Sequence, residues 1–300
     1  MKGLWAAGAA MLLLAWSIAS EPRVRLDSAS ELDALNTQLA SLFQHGKYDE
    51  AMLVAERLLA ISENSLGPNH VDVAKALTYV GGLRVMQQRY GDAQSLFKRA
   101  LTIREAALGA YDPAVAETLT TLAAVYQADG RYSDAEPLYK RAVAVSEARS
   151  GAKDPGLADA LTNLAPFYRI QNRYTDAEPI LTRALAVREA TLGPDHPDVA
   201  KTLSSLAAVY YAEGRAADME TATRRALTIR EAALGHDHPD VAESLRNLGA
   251  LYVSQARYDE AEPLLARALA IREAALGGDH PDVTQLRAYL AELRRAQQPR

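Results

Sequence analysis

The sequence predicts an all-α protein: a right-handed α-solenoid of six helical hairpins followed by a C-terminal capping helix. Three observations carry that prediction. The chain repeats itself every 42 residues: Tyr48, Tyr90, Tyr132, Tyr174 and Tyr258 fall on one such grid, broken at Ala216, and Leu66, Leu108, Leu192, Leu234 and Leu276 fall on another. Within a period, apolar residues recur at helical offsets in two stretches separated by a turn. The composition is 49% hydrophobic but only 6% aromatic, so Ala and Leu must fill the core, and these residues favour helices over strands.

The elements follow in chain order. "MKGLWAAGAAMLLLAWSIAS" (1–20) has one cation, Lys2, an apolar run and small residues at Ser17, Ala19 and Ser20. That is the layout of a secretory signal peptide cleaved near Ala19 or Ser20, which directs the chain outside the cytoplasm, to the periplasm or beyond. The run is short for a bilayer span; an uncleaved membrane anchor is the alternative. A linker, 21–29, leads into the repeats, which occupy 30–280. In the unit that opens at "DHPD", Val199, Leu203, Leu206, Ala207 and Tyr210 define one face of helix A, and Gly214 stops it. Met219, Ala222, Thr223, Ala226, Leu227 and Ile229 line helix B, which ends at Leu234–Gly235. Neither helix can bury its stripe alone, so neighbouring hairpins must stack. The last segment, 281–300, keeps Val283, Leu286, Leu290 and Leu293 on one face and places Arg287, Arg294 and Arg295 elsewhere. It is expected to form one helix, about 281–297, that closes the stack with its arginines outward.

"GPDHPDVA" (193–200), with near copies at 235–242 and 277–284, resembles a metal or catalytic motif. It reads better as a helix start. Pro197 suits the first helical position, Asp198 suits the first turn, and Asp195 or His196 can cap. His196, His238 and His280 lie on different repeats, and helices packed 8–10 Å apart cannot share one zinc ion with bonds of about 2 Å. The "IRE" segments at 103–105, 229–231 and 271–273 read as solvated charges that pair along or between helices, and "AEP" (135–137, 177–179, 261–263) places proline near the start of helix B. Two units depart from the pattern. Ala216, Met219, Thr221 and Thr223 mark a loosely packed hairpin, and Pro166 predicts a kink or broken turn at 162–166.

Leu119, Leu122, Ala123, Tyr126, Ala135, Tyr139 and Ala142, with the corresponding sets starting at Leu161 and Leu245, have the spacing of the tetratricopeptide repeat. The chain resembles that family from about residue 30 onward. Its 42-residue unit, 8 longer than the usual 34, is similar to the kinesin-light-chain-like class. The resemblance implies a concave groove lined by the A helices that takes an extended peptide or a partner's helix. The helix A residues left over from the hairpin core form the candidate lining. Among them Tyr79, Thr121, Asn163, Arg169, Lys201, Ser205 and Asn247 are the candidate ligand-binding positions. Asn163 and Asn247 stand out because an amide both donates to and accepts from a peptide backbone. Glu117, Asp159 and Glu243 would disfavour an acidic ligand.

The net charge of −5 argues against a nucleic-acid partner, and the absence of cysteine excludes disulfides, thiolate nucleophiles and lipoprotein anchoring. No phosphate loop or nucleophile elbow is present, and no metal or cofactor is expected. The function expected is an exported, non-catalytic scaffold for a protein or peptide partner. The alternative is a structural spacer in an envelope or secretion assembly, using its outer surfaces and ends.

Overall fold

The computed structural model describes residues 29–150 and 155–297. The expected signal peptide and all but the last residue of the linker lie outside them. The described residues form thirteen helices and no strand. The A helices are α1 (29–44), α3 (Val71–Met86), α5 (Pro113–Ala128), α7 (Pro155–Ile170), α9 (Pro197–Ala212) and α11 (Pro239–Ser254). The B helices are α2 (Tyr48–Leu66), α4 (Tyr90–Leu108), α6 (Tyr132–Ser150), α8 (Tyr174–Leu192), α10 (Ala216–Leu234) and α12 (Tyr258–Leu276), and α13 (Pro281–Gln297) follows. Pairs such as α3–α4, α7–α8, α9–α10 and α11–α12 pack as hairpins, and α4, α8 and α10 each pack on the A helix that follows, as in a solenoid. The contacts divide the chain into two compact units, meeting at Val145 and Ser146.

The hairpins close at a point where small faces large. A Cβ built on Gly81 would lie 3.0 Å from the Phe97 ring, and one on Gly249 would lie 2.7 Å from Leu265 Cγ. The same register holds Ala165 with Leu181, Ala123 with Tyr139 and, reversed, Leu39 with Ala55. Interiors fill to nearly constant density, so a large side chain on one helix requires a small one opposite. In α9–α10 the register holds Ala207 and Thr223, and the buried Thr223 hydroxyl has no hydrogen-bond partner. Amide exchange is therefore expected to be faster across 213–227 than across 255–269, and equal rates would show that hairpin to be as tight as α11–α12.

Each described link from a B helix to the next A helix begins at a glycine. Gly193 has φ 89° and ψ 156°, and Gly67, Gly109, Gly235 and Gly277 are close to it. That region is open essentially to glycine alone, although nothing lies within 4 Å of a Cβ built on Gly193. Gly193→Ala is thus expected to cost about 1–3 kcal/mol from backbone strain, read in a denaturant titration. In four of these links an imidazole three residues after the glycine caps the next helix: Nδ1 of His196 accepts from Asp198 N–H at 3.2 Å, as do His70, His238 and His280 from Asp72, Asp240 and Asp282. Asp112 takes this place before α5. Of the two capping candidates, the histidine is the one used.

Three expectations need correction. Pro137, Pro179 and Pro263 stand at the sixth residue of their helices, beyond the first turn, so each removes an intrahelical hydrogen bond. α7 runs unbroken through Pro166 to Ile170. Pro166 is exposed while Leu164, Ala165, Phe167 and Tyr168 around it are buried, so packing holds the helix. Of the three "IRE" arginines, Arg272 is half-buried and pairs with Asp282 at 2.9 Å, but Arg104 and Arg230 are not solvated, and neither is Arg188 at the same register: Arg104, Arg188 and Arg230 are 8%, 8% and 4% exposed. Their Nη1 groups donate to hydroxyls fourteen residues on, Thr118, Thr202 and Ser244. The glutamate that follows this position in each of five B helices, after arginine or after Ser62 and Ser146, pairs with an arginine of the next B helix: Glu63–Arg99, Glu105–Arg141, Glu147–Arg183, Glu189–Arg225 and Glu231–Arg267.

Candidate functional site

Helix A must bury two flanks, one on its own helix B and one on the preceding hairpin; the remaining face is free. The structure leaves the expected stripe on that face. In the first unit Lys75 and Glu117 are exposed and Tyr79 and Thr121 half-buried, with the Lys75 ammonium 5.9 Å above the Tyr79 ring. In the second, Asn163, Arg169 and Lys201 are exposed and Ser205 and Asn247 half-buried. Thr121 and Ser205 bond the carbonyls of Glu117 and Lys201 one turn back, which occupies their protons. Asn247 Oδ1 lies 3.4 Å from the Arg246 guanidinium. Asn163 and Arg169 have no side-chain partner among the described residues, which leaves them available.

Three of the seven candidate residues come together. Arg169, Lys201 and Ser205 line a cleft of about 330 Å³ with Pro166, Ala208 and Glu243. Asn163 and Asn247 flank the same face but do not line this cleft. The acids of the stripe are already engaged with the buried arginines. Asp159 meets Arg188 at 2.8 Å, Glu243 meets Arg230 at 3.6 Å and Glu117 meets Arg104 at 4.0 Å. Their expected repulsion of an acidic ligand is largely offset within the fold. Lys201 bonds Asp198 at 2.8 Å and holds that carboxyl below its usual range.

A second network, absent from the sequence reading, fixes the A–B corners. Arg131, Arg173, Arg215 and Arg257 stack on Tyr126, Tyr168, Tyr210 and Tyr252, with guanidinium carbons 3.9–4.7 Å from the ring centres. The signal was present as a tyrosine followed five residues later by arginine, which occurs six times in the sequence, four of them at these corners. Arg215 and Arg257 then reach back to Glu178 and Glu220 of the preceding B helix at 2.8 Å. Glu220 also accepts from Tyr252 Oη at 2.7 Å. Arg257 chiefly, helped by Tyr252 and Arg224, lowers the Glu220 carboxyl from 4.5 to about 2. A depressed carboxyl stabilises the fold above its unfolded value and loses that contribution as pH falls through the folded one. Native protein is therefore expected to lose about 1–3 kcal/mol between pH 4.5 and 2 through this group, after allowance for solvent screening. Glu220→Gln should flatten that part of the stability–pH curve; an unchanged slope would place the acid sensitivity elsewhere.

The tetratricopeptide repeat family profile matches residues 30–106, 72–148, 156–218 and 198–274. Among solved structures, the chain is similar to BtubC (BKLC) from P. vanneervenii, with a TM-score of 0.64 and 26% identity over 83% of this chain and 94% of that one. A putative kinesin light chain of Podosopora anserina with nearly identical repeats gives 0.59 and 21% over 68% and 97%. Pseudomonas aeruginosa PilF gives 0.54 and 15% over 88% and 99%. Among curated proteins none matches.

Proposed function

The chain belongs to the tetratricopeptide repeat family, and from that premise we propose that it is an exported, non-catalytic scaffold that holds an extended peptide or a partner's helix along the free face of its A helices. Arrays of this fold commonly mediate protein–protein interaction. The observation that carries the reading here is the stripe itself. Each A helix from α3 to α11 keeps one polar or small-residue face unburied after both flanks are packed. In the second unit that face contains a cleft with unpartnered Arg169 at its edge. Export rests on the composition of residues 1–20, and mass spectrometry of the mature N-terminus, expected near Glu21, tests it.

A photo-crosslinking side chain placed at Asn163, Ser205 or Asn247 should capture the partner in the native host. The same group at Thr221, exposed on helix B, should not. Capture should fall in the Asn163→Ala/Asn247→Ala variant. Crosslinks confined to Thr221 would instead assign the chain to the spacer role, with contacts on its outer surface.

A further inference from the structure

A cavity of about 610 Å³ opens between α1, the end of α2 and the start of α3, larger than the clefts of about 500 and 330 Å³ described around Arg272 and Arg230. All three lie at one register of the repeat. Where the other two have a helix B arginine, this one has Ser62. The hydroxyl that would receive it is also missing, because Ala76 stands where Thr118, Thr202 and Ser244 stand beside the three buried arginines, a serine and alanine pairing that recurs at Ser146 and Ala160. Four polar residues around the seat of Arg188 are repeated. Asp159, His196, Asp198 and Lys201 recur 126 residues earlier as Asp33, His70, Asp72 and Lys75, each with the same side chain.

The geometry points to a binding site for an arginine side chain supplied by another protein: the cavity is the seat of Arg188 without its arginine. In the occupied seat, Arg188 Nη2 donates to Asp159 Oδ1 at 2.8 Å, and Nη1 donates to Thr202 Oγ1 at 2.6 Å and to the Asp198 carbonyl at 3.2 Å. In the open one, Asp33 lines the cavity as an exposed carboxylate, and Asp72, which also lines it, is the repeat equivalent of Asp198. In place of the lost hydroxyl there is Asn36. Its amide N–H donates to the Leu32 carbonyl at 2.8 Å, and its buried Oδ1 has no partner among the described residues. A buried acceptor without a donor is costly, and a guanidinium, with five N–H donors in a fixed fork, relieves it while pairing with Asp33. Lysine, a point charge, cannot reach both acceptors at once. Lys75 at the rim does not bar a cation, since Lys201 stands at the same place beside Arg188 and turns to Asp198. The inference does not depend on peptide binding along α7–α11.

The test is a titration of the full chain with Nα-acetyl-arginine amide, followed by NMR at the Asn36 side-chain amide and the backbone of Ser62 and Ala76. Saturable one-to-one binding is expected, with none for the uncharged citrulline analogue. Asp33→Asn, a change at an exposed residue, should weaken binding roughly three- to tenfold through loss of the charge-assisted bond. Ser62→Arg/Ala76→Thr should restore the internal arginine and abolish binding while the protein stays folded. An end-blocked peptide containing one arginine should bind more tightly than the amide; equal affinity would overturn the protein source in favour of a free guanidino compound. No saturable shift, or binding that survives in the filled variant, would overturn the site itself.

Discussion

Deletion of residues 281–300 is expected to lower the thermal midpoint by about 5–10 °C and to drive self-association. α13 has the helix A pattern, and its apolar face packs on α12. Val283, Leu286, Leu290 and Leu293 are 0–5% exposed, three of them in one cluster with Leu265, Ala268 and Ile271 of α12. At about 1.5–3 kcal/mol per buried side chain the gross loss is several kcal/mol, offset in part by the entropy regained when the helix is freed. A net loss of about 2–3 kcal/mol in an array of this size gives the stated shift. The polar face matters as much as the apolar one. Arg287 pairs with Glu273 and Arg294 with Glu262, so the exposed arginines expected on the outer side also bind back to α12. A charged outer face of this kind is what a capping repeat requires, and the deletion tests that role. A truncated chain that melts unchanged and stays monodisperse would show that α12 needs no cover.

Where sequence reading succeeded and failed has one physical explanation. The repeat, its helix boundaries, the histidine starts and the free stripe all follow from apolar periodicity and terminal chemistry, both local. The buried arginines do not follow from the rule that charge is solvated. Arg104 lies four residues after Ala100 and three after Leu101, on the buried stripe by period alone. What permits it is a hydroxyl fourteen residues away on another helix, a pairing visible only when the repeats are laid over one another. Pro166 was misjudged for the same reason: propensity predicted a break, and four buried neighbours prevented it. The free face could be drawn from sequence, but which of its residues converge could not, because Arg169, Lys201 and Ser205 meet only through the stacking of α7 on its successors.

Arg188 gives the sharpest test of that pairing. Arg188→Ser is expected to cost about 2–3 kcal/mol: the stem leaves a cavity and the bonds to Thr202 and the Asp198 carbonyl are lost. Asp159, well exposed, returns to water without further penalty. Thr202→Ala alone is expected to cost about 1–2 kcal/mol, because a buried guanidinium N–H then lacks one of its acceptors. Together the two changes reproduce the Ser62 and Ala76 pair found in the first unit, and no orphaned donor remains. The double variant should therefore be more stable than the sum of the single losses predicts, by about 1 kcal/mol or more. Strict additivity in denaturant titrations would mean that arginine and hydroxyl contribute independently and that their joint absence at the first cavity is coincidence. Sub-additivity, with a second saturable site for Nα-acetyl-arginine amide opening at the vacated seat, would establish that this register holds an arginine from within the chain or receives one from outside.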